Sequence, residues 1–280
     1  MNGPVSMRRG GARCVRAARV AASLMATLAV ACAQARPALP AMNSYVQPPF
    51  VPAGERGGGG LAALFVERLN EEVRPDRPLR LENLPRRRLE AALESREFAG
   101  VALFLAPEFL AAPAQQGGVW SVPVMVDENL LVSARPLQVA SLDDLRGLRL
   151  GGIAGHVYRV LRPLLDEGHL GREDAVDHVA NLKKLCLGRV DFVVISRSEL
   201  AGTEPQVPCP QALRPIAFPQ PQIILRRVLV RPMGGEGAQE VLEAVARVAC
   251  SEAWTAALAG YGLSTAGCRR RDAPPPSSRR

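Results

Sequence analysis

The chain has 280 residues, 48% hydrophobic and 22% charged, with a formal net charge of +8. That charge is uneven: five arginines and no acid fall in 1–33, five arginines against Asp272 fall in 269–280, and the 235 residues between carry a net −1. A near-neutral body of that size holds one large domain or two lobes and excludes a binder of nucleic-acid backbone.

Arg8, Arg9, Arg13, Arg16 and Arg19 precede an apolar run, Val20 to Ala31. The run is shorter than the ~20 residues a membrane span needs, and small residues follow it, so 1–35 reads as a secretion signal cleaved near 31–35. Leu28-Ala29-Val30-Ala31-Cys32 also resembles a lipobox, which makes lipidation at Cys32 the competing outcome. No later segment is long and apolar enough to span a membrane.

Met42 to Val46 is predicted as the first strand, running into Pro48-Pro49-Phe50. Gly57 to Gly60 has no following Lys-Ser/Thr, so it is not a phosphate-cradling loop. Leu61, Leu64, Phe65, Leu69 and Val73 share one face of a helix over 61–73. A strand is predicted at 79–84, a helix at 86–95 and a doubly buried strand at 100–106 (GVALFLA). Two strands follow, 120–124 and 129–133, with Asp127-Glu128 read as a turn between them. Ser141 caps a short helix, 148–153 is a strand, and Gly155 opens a helix to about Glu167. Short elements are predicted at 177–180 (strand), 181–187 (helix capped by Asn181) and 191–195 (strand), with Ser196 starting another helix. Residues 222–231 form a strand and 237–259 one long helix, and the arginine- and proline-rich stretch 269–280 is a solvated tail. The alternation argues for an α/β class with largely parallel sheets.

Four cysteines remain after the leader: Cys186, Cys209, Cys250 and Cys268. They allow three pairings, of which Cys186–Cys209 with Cys250–Cys268 closes the shortest loops; four free thiols are the alternative. No CxxC or Cys/His cluster is present, so neither a metal site nor a cofactor is expected.

Four stretches together resemble a known family: Tyr45-x-x-Pro-Pro-Phe50, Trp120-Ser-Val-Pro123, the run from Ser141 to Gly151 (SLDDLRGLRLG), and Leu182-x-x-Leu-x-x-Gly-Arg-Val-Asp191. In order and spacing they resemble the type II extracellular solute-binding proteins, the amino-acid-type periplasmic binding proteins. The resemblance implies an α/β, two-lobed fold, each lobe a mostly parallel sheet flanked by helices, joined by a two-strand hinge. It would place lobe one at 36–125 plus 213–268 and lobe two at 126–212. It implies a periplasmic monomer that captures a small molecule between its lobes and delivers it to a membrane permease or a sensor, with no catalytic residues. A ligand-free accessory protein and a dehydratase-type enzyme are the alternatives on the same fold.

The residues expected to touch the ligand are Tyr45, Phe50, Gly155, His156, Tyr158, Ser196 and Arg197. Gly155 would put unpaired backbone N–H groups at a helix start, a setting suited to an anionic group. His169 and His178 are read as surface residues. The chain also departs from the family. Where amino-acid binders place an arginine after the 100–106 strand, this chain has Ala106-Pro107-Glu108-Phe109, and where they place an aspartate it has Ser196. Losing both charged contacts argues for a small polar or anionic metabolite other than an ordinary α-amino acid.

Overall fold

One strand, β9 (Arg214–Arg231), runs through both halves of the molecule. The computed structural model describes residues 38–54, 59–73, 78–95, 97–231, 237–266 and 268. The cleavage region, Cys32 and the 269–280 tail lie outside them.

The first sheet has β1 (Leu39–Asn43), β2 (Leu79–Asn83), β3 (Gly100–Leu105) and β4 (Val119–Trp120). Its order is β2-β1-β3-β9, with β4 also on β9. The pairs within β1, β2 and β3 are parallel, and β9 runs antiparallel to β3 and β4. All six residues of β3 are buried, because helices cover both faces. On one side lie α1 (Gly60–Glu72), α7 (Gly237–Ala249) and α8 (Glu252–Ala259), packing Leu61, Phe65, Leu69, Val245 and Trp254 against Phe104 and Val230. On the other lie α2 (Arg86–Glu94) and α3 (Ala112–Gln115), which bury Leu89, Leu93 and Ala114 on Ala102 and Leu105.

The second sheet contains β5 (Met125–Ser133), β6 (Arg149–Ile153), β7 (Gly171–Ala175) and β8 (Phe192–Ser196), in the order β9-β5-β8-β6-β7. One face is covered by α4 (Arg162–Asp166) and its flanking loops through Tyr158, Leu161 and Leu164, with Phe218 of β9 joining the same apolar layer. The other is covered by α5 (His178–Cys186) and α6 (Arg197–Thr203) through Leu182, Leu185 and Leu200. Two sheets, each with an apolar layer on both faces, make a two-lobed α/β molecule. No helix among the described residues is long and apolar enough to cross a membrane.

The crossing between lobes is made by β5 against β9. Asn129 faces Gln222 and Leu130 faces Ala217, so residues 218–221 bulge out of the ladder. Pro219 and Pro221 lie in that bulge, where their missing N–H groups cost no ladder bond.

Several sequence expectations change. Asp127 and Glu128 are mid-strand in β5, not a turn, because the apolar residues that follow continue the same ladder on β9. Residues 154–158 form a loop, and only a short 3-10 turn (Arg159–Leu161) and α4 follow, so no long helix starts at Gly155. Asp177 is not in a strand. Its side chain accepts from the Ala180 N–H and caps α5, which moves Asn181 from cap to helix interior. Strand β7 has only one buried residue in five and no apolar signature. The 237–259 helix breaks at Ser251, whose side chain accepts from the Trp254 N–H and starts α8. Disulfides join Cys186 to Cys209 and Cys250 to Cys268, across 23 and 18 residues, as the shortest-loop pairing expects.

Candidate functional site

The seam between the lobes is organised by a buried ion pair on the crossing strands. Arg226 of β9 and Asp127 of β5 are 3% and 0% exposed, with Arg226 Nη2 2.7 Å from Asp127 Oδ2. Burial alone would raise the Asp127 carboxyl, but the Arg226 charge and the hydrogen bonds from Ser198 outweigh it and hold the group below its ordinary value. The Ser198 N–H donates at 3.0 Å and its hydroxyl at 2.6 Å. Burial likewise works against the Arg226 charge, and the neighbouring Tyr45, Asp127 and Glu199 oxygens override it and hold the guanidinium above its usual range.

Arg226 touches both lobes. Its Nη1 donates to the Phe104 carbonyl at 3.4 Å and its Nη2 to Ser196 Oγ at 3.4 Å. Its Cζ lies 4.3 Å from the Tyr45 ring centroid and 5.3 Å from the Phe50 ring centroid, a cation–π setting. Phe104 has φ 57°, an unusual conformation for a bulky residue, at the β3 irregularity between Ala102 and Leu105. The kink turns the Phe104 carbonyl toward the guanidinium.

Beside this pair lies a polar cluster around Glu199, in the first turn of α6. One Glu199 oxygen accepts from the Ser196 hydroxyl at 2.6 Å, and the other accepts from the Gln47 side-chain amide of the opposite lobe. His178 Nε2 is 3.9 Å from Glu199 Oε2, and its Nδ1 is buried without a hydrogen-bond partner. His156 lies within the electrostatic reach of Glu199 and His178. Although solvent touches it, the surrounding protein disfavours its charged form. That desolvation lowers its pKa, against the pull of Glu199.

The expected ligand residues separate into groups. Tyr45 is half-buried at the seam, 4.9 Å from Phe50 between ring centroids. Phe50 is wholly buried and belongs to the lobe-one core. Tyr158 is also a core residue, and its hydroxyl accepts from the Ile153 N–H at 2.9 Å. Gly155 (φ 77°) and His156 are exposed on the 154–158 loop. Arg172 pins that loop by donating to the Ile153 and His156 carbonyls at 3.1 and 3.0 Å. The His156 N–H turns back to the Ile153 carbonyl at 2.9 Å, and the short 3-10 turn that follows is no helix-start anion site. Ser196 is buried as the cap of α6, accepting from the Glu199 N–H. Arg197 pairs at 2.7 Å with Glu128.

Gln47, His178, Glu199 and Arg226 were not among the expected residues. Arg226 had a legible signal, since a charge inside Ile223-Ile224-Leu225-Arg226-Arg227-Val228-Leu229 needs a buried partner. Glu199 and His178 had none, because Glu199 reads as an ordinary residue of a helix's first turn and His178 as a surface residue of the short 177–180 strand. His178 is mostly buried, contrary to its reading as a surface residue.

Further contacts tie the lobes together. A Cβ on Gly202 of α6 would lie 2.4 Å from the Pro48 carbonyl carbon, so the two backbones touch. Arg159 Nη1 donates to the Glu108 carbonyl at 2.8 Å.

Solved structures share this arrangement of two lobes on paired crossing strands. An ancestral arginine-binding protein bound to arginine aligns with a TM-score of 0.62 at 15% identity, covering 81% of this chain and 99% of that one. The chain has the type II periplasmic-binding-protein fold. The ligand-binding core of GluR0 from Nostoc punctiforme, in complex with L-glutamate, shares this fold with a TM-score of 0.58 at 15% identity, over 80% and 99% of the two chains. So does an ancestral amino-acid-binding protein described as a precursor of cyclohexadienyl dehydratase, at 0.58 and 11%, over 80% and 94%. No family model and no curated protein sequence matches the chain.

Proposed function

We propose that the chain is a periplasmic solute-binding protein that closes on a small polar or anionic metabolite at the seam beside Asp127–Arg226. The observation that carries this is the cluster of Gln47, His156, His178 and Glu199, which brings donors and acceptors from both lobes to one place. A ligand that replaces the Gln47–Glu199 contact holds both lobes at once and so favours the closed form. The lobes divide at 36–125 plus 213–268 and 126–212, with the start of β9, Arg214 to Phe218, reaching across into the second sheet; the mature chain is a monomer, and its delivery partner is a membrane permease or sensor.

The ligand is not an ordinary α-amino acid. The loop after β3 carries Ala106-Pro107-Glu108-Phe109 and no cation, and the deeply buried guanidinium at the seam among the described residues, Arg226, is already neutralised by Asp127. The protein binds rather than catalyses, because Asp127 is locked in an ion pair and is not poised to exchange protons.

A thermal-shift screen of small organic acids and polar metabolites, with arginine, glutamine and glutamate included, tests this. A true ligand at 100 times its Kd adds about 2.7 kcal/mol of stability. A large shift from a non-amino-acid, lost in Glu199→Gln, supports the reading. A comparable shift from an α-amino acid overturns the ligand assignment. No shift from any compound supports a second reading, a ligand-free accessory protein, whose own observation is the direct packing of Gly202 on Pro48.

A further inference from the structure

Arg231, the last residue of β9, is 6% exposed. Its Nη2 donates to the Ser95 carbonyl at 3.0 Å, yet its Nε and Nη1 are buried without a hydrogen-bond partner. No carboxylate among the described residues reaches ion-pair distance. An unanswered guanidinium inside a protein is costly, so a residue of this kind needs a reason to persist.

The reason lies in the space beside it. Arg231 lines a cavity of about 340 Å³, a size that takes a small metabolite. Its lining includes Glu94, Glu97, Phe98, Pro113, Gln116 and Gly117. Gly117 has φ 70°, and a Cβ there would stand 3.7 Å from Arg231 Nη1, so bare glycine backbone, with no side chain, packs beside the unpartnered nitrogen at the wall of the cavity. Five residues of extended strand separate Arg231 from Arg226, roughly 16 Å, so this cavity is distinct from the seam.

We propose that this cavity is a second binding site, and that it takes a small zwitterion whose carboxylate meets Arg231 and whose ammonium meets Glu94 and Glu97. The charges select this class. One buried cation calls for one carboxylate, and two exposed acids at the same cavity repel a dianion such as phosphate but attract a cationic end. Phe98, Ala99 and Pro113 supply the apolar wall for the carbon chain between the two charges.

The test uses the full chain with 4-aminobutyrate, and butyrate as the partner lacking the ammonium, followed by 1H–15N NMR. The expected result is saturable movement of the Arg231 Nε–H and Gly117 amide signals by 4-aminobutyrate, with weaker binding of butyrate. Arg231→Gln should weaken 4-aminobutyrate at least about tenfold. That variant should also melt no lower than the parent, since it removes a charge whose remaining nitrogens have no partner. The exposed Glu97→Gln, which leaves the interior untouched, should weaken 4-aminobutyrate by about threefold and leave butyrate unchanged or tighter. Butyrate binding as well as 4-aminobutyrate, with Glu97→Gln silent, overturns the zwitterion. No movement at Arg231 and Gly117 at millimolar ligand overturns the site. Movement confined to Ser196, Glu199 and Arg226 also overturns it, while supporting the seam as a binding place.

Discussion

Asp127 and Arg226 answer each other from neighbouring strands, and neither has another full counter-charge within reach of a hydrogen bond among the described residues. Removing one leaves the other buried and uncompensated. Asp127→Ala should therefore lose about 3–5 kcal/mol in urea unfolding, and replacing both with apolar residues should recover much of it. The acid limb of stability follows from the direction of two shifts. The folded pKa of Asp127 is depressed. Its stabilisation is present above the unfolded value of about 3.9 and is lost as pH falls through the lower folded value. His156 is depressed for a different reason, desolvation, but with the same sign. The unfolded chain takes up its proton first, so stability begins to fall as pH drops through the unfolded value of about 6.5. Unfolding midpoints measured from pH 8 to pH 3 should show two steps, and His156→Asn should remove the upper one alone.

Among the elements, α5 shows how one side chain docks a helix on a sheet. Asn181 is buried in the helix interior, and its amide donates to the Gly151 carbonyl of β6 at 2.8 Å. Gly151 has no room for a larger residue, since a Cβ would stand 2.4 Å from Asn181 Oδ1 and 2.9 Å from Val193. Gly151→Ala should cost about 1–3 kcal/mol, read as a lower urea midpoint at unchanged slope. The disulfide from Cys186 fastens the far end of the same helix to Cys209. Replacing that pair with serines should cost about 3 kcal/mol, the value for closing a loop of this length. Most elements were legible in the sequence because their apolar spacing is strong. The β3 run, the α1 stripe and the Ser141 and Ser196 caps all appear where that spacing puts them. β7 was not legible, because an edge strand written Gly-Arg-Glu-Asp-Ala buries almost nothing. The 155–167 stretch keeps helical spacing at Leu161, Leu164 and Leu165, yet its helix starts late, with Pro163 in its first turn. Only part of the site was legible. Loop residues such as Tyr45 and His156 stand out by type, whereas Glu199 and Gln47 matter only because folding brings opposite lobes together.

At the scale of the whole molecule, the closed arrangement rests on close backbone approach at Gly202. A methyl group there meets the Pro48–Pro49 peptide at 2.4 to 2.6 Å, and backbone cannot yield as a side chain would. Gly202→Ala should shift the population toward an open form, seen by small-angle scattering as a larger radius of gyration, while far-ultraviolet circular dichroism stays the same. An unchanged radius would mean that the seam adjusts locally and that Gly202 does not control closure.

The position of β9 also bears on the order in which the two lobes can be completed. It lies between β3 and β5 in space but follows both in sequence. As the chain emerges N-terminus first, the first sheet has an unfilled slot between β3 and β4 until Arg227 to Arg231 arrive, whereas β5, β6, β7 and β8 already have one another. The lobe built on β5 to β8 is therefore expected to gain protection from hydrogen exchange before the lobe built on β1 to β4, which pulse labelling during refolding would read.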